Sequence, residues 1–496
     1  MTSSKSLPKP IAKSSYKFKN ITAFDQFYQL TYMSATAAAG ISRSKTFEMA
    51  AESGSPAANY FIAINLLVNE LRFDYPEACR TVADKAPSDE IKSFLLRLSD
   101  AMRSGEPLPA FLAREAAVQA NVYDNAYERD LESLKKWSDA FSSIVVSVAL
   151  IVIINLVSTM IYSMGTGMIT GLVITAVIMG FFGAWILSRA APQEEMTIPS
   201  AIGSDGQRRT LQLSRIIIPT AVLLGGVLAF LGFSQVWVLV AVSAVLLPLG
   251  IVSSRADAEI TKKDAEISSF LRSVGGMATS TGTTLKEAIT KIDISSFPRL
   301  QPDVKRLDTR LRALVSPTVC WQRFGNETGS RLIRQAVGIF YEAVRLGGDP
   351  EQVGFLCSMF ASRTAMLRAK RRTVVSTFTW LTLVMHIVVA ALMVFVLHII
   401  HNFLLLMQSA MTADQAALAS ENLAMPLANF SPQQMQFLDA ITIMMVVLLA
   451  VISAMAIVAS DGGYKFKLTL YLAVLLFMSG ISFWIVPPMV AQLLTI

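Results

Sequence analysis

Three histidines, His386, His398 and His401, fall in one apolar stretch, and grouped imidazoles are what a chain uses to hold a metal or pass a proton. His398 and His401 are three apart and share a helix face, but no third ligand is evident, and both are expected to be ordinary interfacial histidines. His386 lies deeper, where an ionisable side chain turns toward the bundle interior, and it is expected to hydrogen-bond another helix. Other chemistry lacks its parts. No Gly-Lys dipeptide occurs, so there is no Walker A loop for a nucleotide. There is no His-Glu-x-x-His or Cys-x-x-Cys pattern, and no Ser/His/Asp set can be drawn across two compartments. Cys79, Cys320 and Cys357 are too scattered for a disulfide framework and are expected to be inert core residues. No catalytic residue, cofactor or metal is expected.

The elements that carry these residues are membrane spans. Lys and Arg are absent from residues 137–188, 216–254, 373–464 and 468–496, and nearly all the long apolar runs lie there. A spanning helix needs roughly 20 apolar residues, and cytoplasmic loops keep their Lys and Arg. The first three stretches each hold two spans and the last holds one, giving seven, with the N-terminus cytoplasmic and the C-terminus outside. A composition that is 53% hydrophobic and 16% charged, with mean hydropathy +0.50, argues against a soluble enzyme. The net charge of +7 comes from segments beside spans, where orientation accounts for it, and no nucleic-acid partner is expected.

The expected fold is an all-α polytopic membrane protein with two helical-bundle cytoplasmic domains. Residues 1–24 form a disordered basic tail, solvated or drawn to anionic lipid. Residues 25–137 form the first domain, 138–254 four spans in two hairpins, and 255–373 the second domain. Three spans follow over 374–496, with an outer loop at 402–437. No cleavable signal peptide is visible. The spans are placed at Phe141–Ser163 and Met168–Ser188 around a Gly165-Thr166-Gly167 turn, Ile216–Phe233, Gln235–Ser253, about Val374–Ile400, about Leu438–Ser460, and from Leu468. Within 216–254 two short helices compete with one re-entrant or tilted span, which would reverse everything before it. Pro487-Pro488 is expected to end or bend the last helix, leaving Met489–Ile496 at the interface. Gly167 with Gly171, and Gly180 with Gly183, are candidate close contacts between helices.

The two cytoplasmic domains echo each other. The first carries Arg103-Ser104-Gly105-Glu106-Pro107 before Phe111-Leu112. The second carries Arg345-Leu346-Gly347-Gly348-Asp349-Pro350 before Phe355-Leu356. Each reads as a helix stopped by Gly and a new helix opened at an acid and a Pro. Upstream, Met33 to Gly40 precedes Phe47-Glu48, and Met277 to Gly282 precedes Leu285-Lys286-Glu287-Ala288.

This repeated Gly-acid-Pro module before membrane spans resembles the type II secretion system F domain of inner-membrane platform proteins in secretion systems and type IV pili. The second half is similar to the archaeal branch, the platform proteins of archaella and archaeal pili. The residues that carry the resemblance are Trp321-Gln322-Arg323-Phe324, Glu327-Thr328-Gly329-Ser330-Arg331, Arg345 to Pro350, Leu367 to Arg372, Thr377-Phe378, His386, and Asp461-Gly462-Gly463-Tyr464-Lys465. It covers roughly 25–496 and is most specific over 315–390. It implies a platform on which pilin-like subunits enter or leave a helical filament, with a cytoplasmic hexameric ATPase docked on the helical domains. It also implies a homodimer surrounded by membrane lipids.

The working residues are then contacts. Arg103, Gly105, Glu106, Pro107, Arg345, Gly348, Asp349 and Pro350 sit at the repeated turns, where two readings stand side by side: an ATPase contact, or a helix cap with a solvated charge. Arg363, Arg368, Lys370, Arg371 and Arg372 read as a topology signal beside a span or as a docking patch. Trp321 and Phe324 are expected to pack the core. Two other classes stay open: a scaffold or receptor with no filament, and a transporter, which should instead show broken helices and ionisable groups at the midplane.

Overall fold

The computed structural model describes residues 18, 20–161, 166–410 and 432–494. The basic tail up to residue 17, the Gly165 turn, most of the outer loop and the last two residues lie outside the described part. Among the described residues all regular structure is helical, apart from one antiparallel bridge between Thr197 and Ser330. That follows from a solvent with no hydrogen bonds to offer, in which a helix satisfies its own backbone.

The order is α1 Ala23–Ala37, α2 Arg43–Glu52, α3 Ala58–Leu71, α4 Tyr75–Ala83, α5 Asp89–Arg103 and α6 Leu108–Ile161. There follow α7 Thr166–Ala190, α8 Asp205–Phe230, α9 Gln235–Thr281, α10 Leu285–Lys291, α11 Gln301–Arg312 and α12 Pro317–Glu327. The chain closes with α13 Arg331–Arg345, α14 Pro350–Ala410, α15 Pro432–Asp461 and α16 Leu468–Leu494. It divides into two compact units, residues 1–124, 271–292 and 336–360, and residues 125–270, 293–335 and 361–496.

In the first unit local signals set the helix ends. Thr22 and Asp25 form a capping box at α1, and Ser42, Asp74 and Ser88 cap α2, α4 and α5 with side-chain oxygens. The core gathers Met33, Phe47, Tyr60, Phe61, Phe94 and Leu112, all nearly inaccessible. Beside it Phe24 and Phe27 each lie against both Tyr123 and Phe360, ring centroids 5.1–6.1 Å apart. Where α9 crosses α14 only glycine fits: a Cβ on Gly354 would lie 2.8 Å from the Leu271 carbonyl oxygen.

The second unit holds the apolar segments. Among the described residues seven helices are long and apolar enough to cross a membrane: α6 to α9 and α14 to α16. Residues 216–254 form two helices, α8 and α9, joined by a turn at Gly232 (φ +74°), where the Phe233 amide donates to the Leu228 carbonyl. The chain does not stop at Pro487-Pro488; α16 runs through them to Leu494. A proline loses one amide donor, and inside an apolar bundle neighbouring helices make good the freed groups.

Small residues and buried hydroxyls join the spans, as expected where lipid gives no hydrophobic force between helices. The Ser243 hydroxyl of α9 donates to the Ala473 carbonyl of α16 at 2.8 Å. Gly180 of α7 faces Ile452 of α15, and Gly183 faces Phe141 and Ile144 of α6, with 3.0–3.3 Å to the nearest atom from an added Cβ. Gly167 and Gly171 have open space there, so only the second candidate pair marks a close contact. At Gly250 a Cβ would lie 2.5 Å from Leu470 Cα. We therefore expect Gly250→Val to force α9 and α16 apart at a cost of about 1–3 kcal/mol. Gly226→Ala, with nothing within 4 Å of its Cβ, should be neutral or slightly stabilising. Thermal unfolding of the detergent-solubilised protein checks both.

Candidate functional site

The two repeated turns lie in the first unit and are built alike. After α5, Gly105 takes φ +76° and the Glu106 amide donates to the Ala101 carbonyl; after α13, Gly347 takes φ +100° and the Gly348 amide donates to the Ala343 carbonyl. Both are six-to-one helix closures, which need a left-handed residue at the first position beyond the cap. Arg103 and Arg345 end their helices exposed, Arg345 paired with Glu342 one turn back.

The acids at the turns differ in role. Asp349 is the cap of α14: its carboxylate accepts from the Gln352 amide at 3.0 Å and from the Thr279 hydroxyl at 2.8 Å, with Pro350 opening the helix. The Gln352 amide and then the Thr279 hydroxyl hold the Asp349 carboxyl below its ordinary range. Glu106 does not cap α6; its carboxylate pairs with Arg114 at 2.6 Å.

The basic run on α14 belongs to the second unit, apart from those turns in sequence and in use. Arg368 and Arg371 are 5% and 1% exposed. The Arg368 guanidinium donates to Asp264 on α9 at 2.8 Å and to Glu194, after α7, at 2.6 Å; the Ser330 hydroxyl completes Asp264. Arg371 donates to the Ser460 carbonyl at 2.8 Å, the Pro192 carbonyl at 3.0 Å and the Ala459 carbonyl at 3.4 Å. It therefore answers the carbonyls that a helix end leaves open. These two guanidinium groups are engaged inside the fold, whereas Lys370 is exposed and paired with Glu128. Arg363 and Arg372 are half-buried, Arg372 lying 3.8 Å from Asp257.

Sequence reasoning missed Asp257 and Lys467 of this site and gave Asp461 and Tyr464 no contact in it. Asp257 on α9 accepts from the Lys467 ammonium at 3.0 Å and from the Tyr464 amide at 3.0 Å, and Asp461 pairs with the same lysine. The Tyr464 hydroxyl donates to the Gln207 carbonyl at 3.2 Å, and burial raises its pKa above the ordinary phenol value. Arg72 and Leu314 also went unnoticed: they are the non-glycine residues with left-handed backbone among those described (φ +59° and +57°). Each follows its helix, α3 or α11, and precedes one with Pro in its first turn, α4 or α12. Neither residue type advertises that conformation.

His386 Nε2 lies 2.9 Å from the Ser479 hydroxyl of α16, the cross-helix bond expected of it. His398 Nδ1 approaches the Val394 carbonyl of its own helix. Burial pushes the Cys79 thiol up to about 12 and raises Cys320, opposite to what a reactive thiolate needs. Trp321 and Phe324 are core residues.

Residues 30–156 match the family model for protein F of the type II secretion system. The chain is 24% identical to a flagella accessory protein J of Methanocaldococcus jannaschii over 84% of its own length and 75% of that protein. It is 22% identical to a flagella accessory protein J of Methanococcus voltae over 64% of its length and 58% of that protein. Over residues 30–156 the chain is thus similar to protein F of the type II secretion system, and over most of its length to the flagella accessory proteins J. No solved structure matches. With seven helices among the described residues long and apolar enough to cross a membrane, and with that family match, it is a multi-pass protein of the cytoplasmic membrane.

Two tests follow. Arg368→Leu leaves Asp264 and Glu194 buried without their cation, an expected loss of about 3–5 kcal/mol, whereas Lys370→Ala should cost under about 1 kcal/mol; unfolding midpoints separate them. For Asp349→Asn the loss is largest at neutral pH. A carboxyl held below 3.8 stabilises above that value and stops doing so as pH falls through the depressed one. The gap between wild-type and variant midpoints should close on acidification below pH 4.

Proposed function

We propose that this chain is the membrane platform of an archaellum-type or type IV pilus-like filament. A cytoplasmic hexameric ATPase docks on its helical domains, and the motion of that ATPase is coupled to insertion of pilin-like subunits. The N-terminus is cytoplasmic and the C-terminus outside, from the placement of Lys and Arg beside the spans.

The observation that carries this reading is a recurrence of turns between α1–α6 and α9–α14. Gly40 precedes the Ser42 cap of α2, and Gly282 precedes the Thr284 cap of α10, all with matching left-handed glycines. Arg72 and Leu314 occupy the turns after the third helix of each set, and Gly105 and Gly347 those after the fifth, while left-handed Gly54 and Gly329 each occur in one set alone. We read the two sets as copies of one six-helix module. The last helix of each, α6 and α14, continues unbroken into an apolar span, 54 and 61 residues long. Such a helix carries displacement along its axis without a joint. The absence of any Gly-Lys nucleotide loop fits a protein moved by a partner's hydrolysis, and the names of the relatives fit a flagellar accessory role.

Exposed Arg103 and Arg345, at corresponding turns, are the proposed ATPase contacts. The double variant Arg103→Glu/Arg345→Glu should keep its membrane level and unfolding midpoint, lose ATPase co-purification by about tenfold (~1.4 kcal/mol), and leave cells without one filament type under the electron microscope. Normal ATPase recovery with normal filaments would remove these turns from the docking site. Persistence of every filament in cells lacking the gene altogether would remove the platform reading.

A further inference from the structure

Glu194, Asp264 and Arg368 are 7%, 8% and 5% exposed, and all three belong to the second unit. Together they set two carboxyls against one guanidinium. A carboxylate taken out of water needs a cation and hydrogen bonds in place of its hydration, and one arginine neutralises only one of the two. Other cations of this region are engaged elsewhere. Arg371 donates to the carbonyls of Ser460, Pro192 and Ala459, and Arg372 lies toward Asp257, which already holds Lys467. Arg331 pairs with the exposed Glu195. From α6 come the Tyr127 phenol, which burial pushes up to about 12, and Asp130, whose carboxyl burial raises; neither brings positive charge.

The two acids meet the guanidinium differently. Asp264 uses both oxygens: one accepts from Arg368 Nη1 at 2.8 Å, the other from the Ser330 hydroxyl, which in turn accepts from the Ile333 amide at 3.2 Å. Glu194 uses one. Arg368 Nε and Nη2 both donate to Glu194 Oε1, at 3.1 and 2.6 Å. Glu194 Oε2 is buried and meets no hydrogen-bond partner among the described residues. An ionised carboxylate set against this edge of a guanidinium commonly places one oxygen on each donor. A carboxylic acid instead offers its carbonyl oxygen and keeps its hydroxyl off the cation, which is the arrangement of Glu194. An unmet oxygen of a full buried anion is also far costlier than an unmet hydroxyl.

We propose that Glu194 and Asp264 form a proton-binding site, sharing one proton at neutral pH that rests on Glu194 Oε2 in the arrangement seen here. Arg368 then faces one anion and one neutral acid, and the charges close. Two carboxyls beside a single cation titrate as a pair, the second proton leaving only at raised pH. Burial, outweighing Arg368 and Ser330, raises the Asp264 carboxyl in the same sense. Both acids lie beyond the apolar runs, which end before Arg189 on α7 and before Arg255 on α9, so the proton comes from water outside the apolar layer. Its presence lets the segment after α7 sit on α14; its loss puts a second, unanswered charge between them. The inference goes beyond the filament reading and holds for any role of the protein.

Infrared difference spectroscopy of the full-length protein in nanodiscs, titrated from about pH 5 to about pH 9, tests it. We expect a protonated-carboxyl stretch at neutral pH that fades on alkalinisation. It should lose the intensity of about one carboxyl per chain in Glu194→Gln, and the same in Asp264→Asn, because the remaining acid then has Arg368 to itself. Thermal unfolding gives the second readout. A carboxyl with a raised folded pKa costs stability as pH rises from its unfolded value, roughly 4.3 for glutamate, through the folded one. Glu194→Gln keeps the neutral form, so its midpoint should match wild type at about pH 5 and stand above it at about pH 9. No protonated carboxyl at neutral pH, a band unchanged by both substitutions, or a Glu194→Gln midpoint as low as that of Arg368→Leu at every pH would each overturn the proposal.

Discussion

A guanidinium with 1% exposure decides how the second unit is tied together. Arg371 reaches the last carbonyls of α15 and the Pro192 carbonyl after α7, so one side chain on α14 fastens three separate stretches of chain. The sequence after α15 is shaped by it. Gly462 turns left-handed at φ +66°, with the Arg371 guanidinium where its side chain would be. A Cβ on Gly463 would stand 2.7 Å from an Asp257 oxygen. Without side chains, these two residues let the backbone wrap a buried cation and then a buried anion, and the Tyr464 amide meets Asp257. The Asp-Gly-Gly-Tyr string is thus a consequence of burying two charges beside a helix end.

The same logic sets the pairing of α9 with α14. Asp257 and Asp264 are two helical turns apart on α9, and Arg372 and Arg368 are one turn apart on α14. The helices run in opposite directions, one leaving the apolar layer and the other entering it, so Asp264 faces Arg368 and Asp257 faces Arg372 and Lys467. Buried pairs of this kind add little net stability over an apolar contact, because desolvation cancels much of the attraction. Their effect is selective. A mismatched arrangement leaves a charge unpaired in a medium that cannot solvate it.

The spans and their number were legible in the sequence because the signal is coarse: apolar runs of sufficient length, with Lys and Arg removed between them. His386 was legible as a bonded residue, since an ionisable group in a span has few alternatives, but Ser479 as its partner, 93 residues away, was not. The basic run on α14 shows the limit most clearly. Its position beside a span favours a topology signal over a docking patch, and what separates Arg368 and Arg371 from Lys370 is Glu194, Asp264 and three backbone carbonyls brought from elsewhere. Left-handed Arg72 and Leu314 were invisible for a different reason. The conformation is imposed by the turn, at an expected cost of about 1–3 kcal/mol that the surrounding packing offsets, and a residue type that merely tolerates it leaves no mark.

The proposed transmission of a partner's motion calls for helices that move as bodies. A span packed only by apolar contact in lipid can slide or rotate past its neighbour, since each position offers similar dispersion energy and no orphaned group. The charges at the end of α14 remove that freedom. Advancing α14 by one residue against α9 turns it by about 100° and carries Arg368 away from Asp264 and Glu194. It also carries Arg371 away from the carbonyls of α15. Each displaced group then costs several kcal/mol, so no shallow intermediate registers exist between the native one and a broken one. On the platform reading proposed above, displacement applied along α14 reaches α9, α15 and the chain after α7 through the contacts of Arg368 and Arg371.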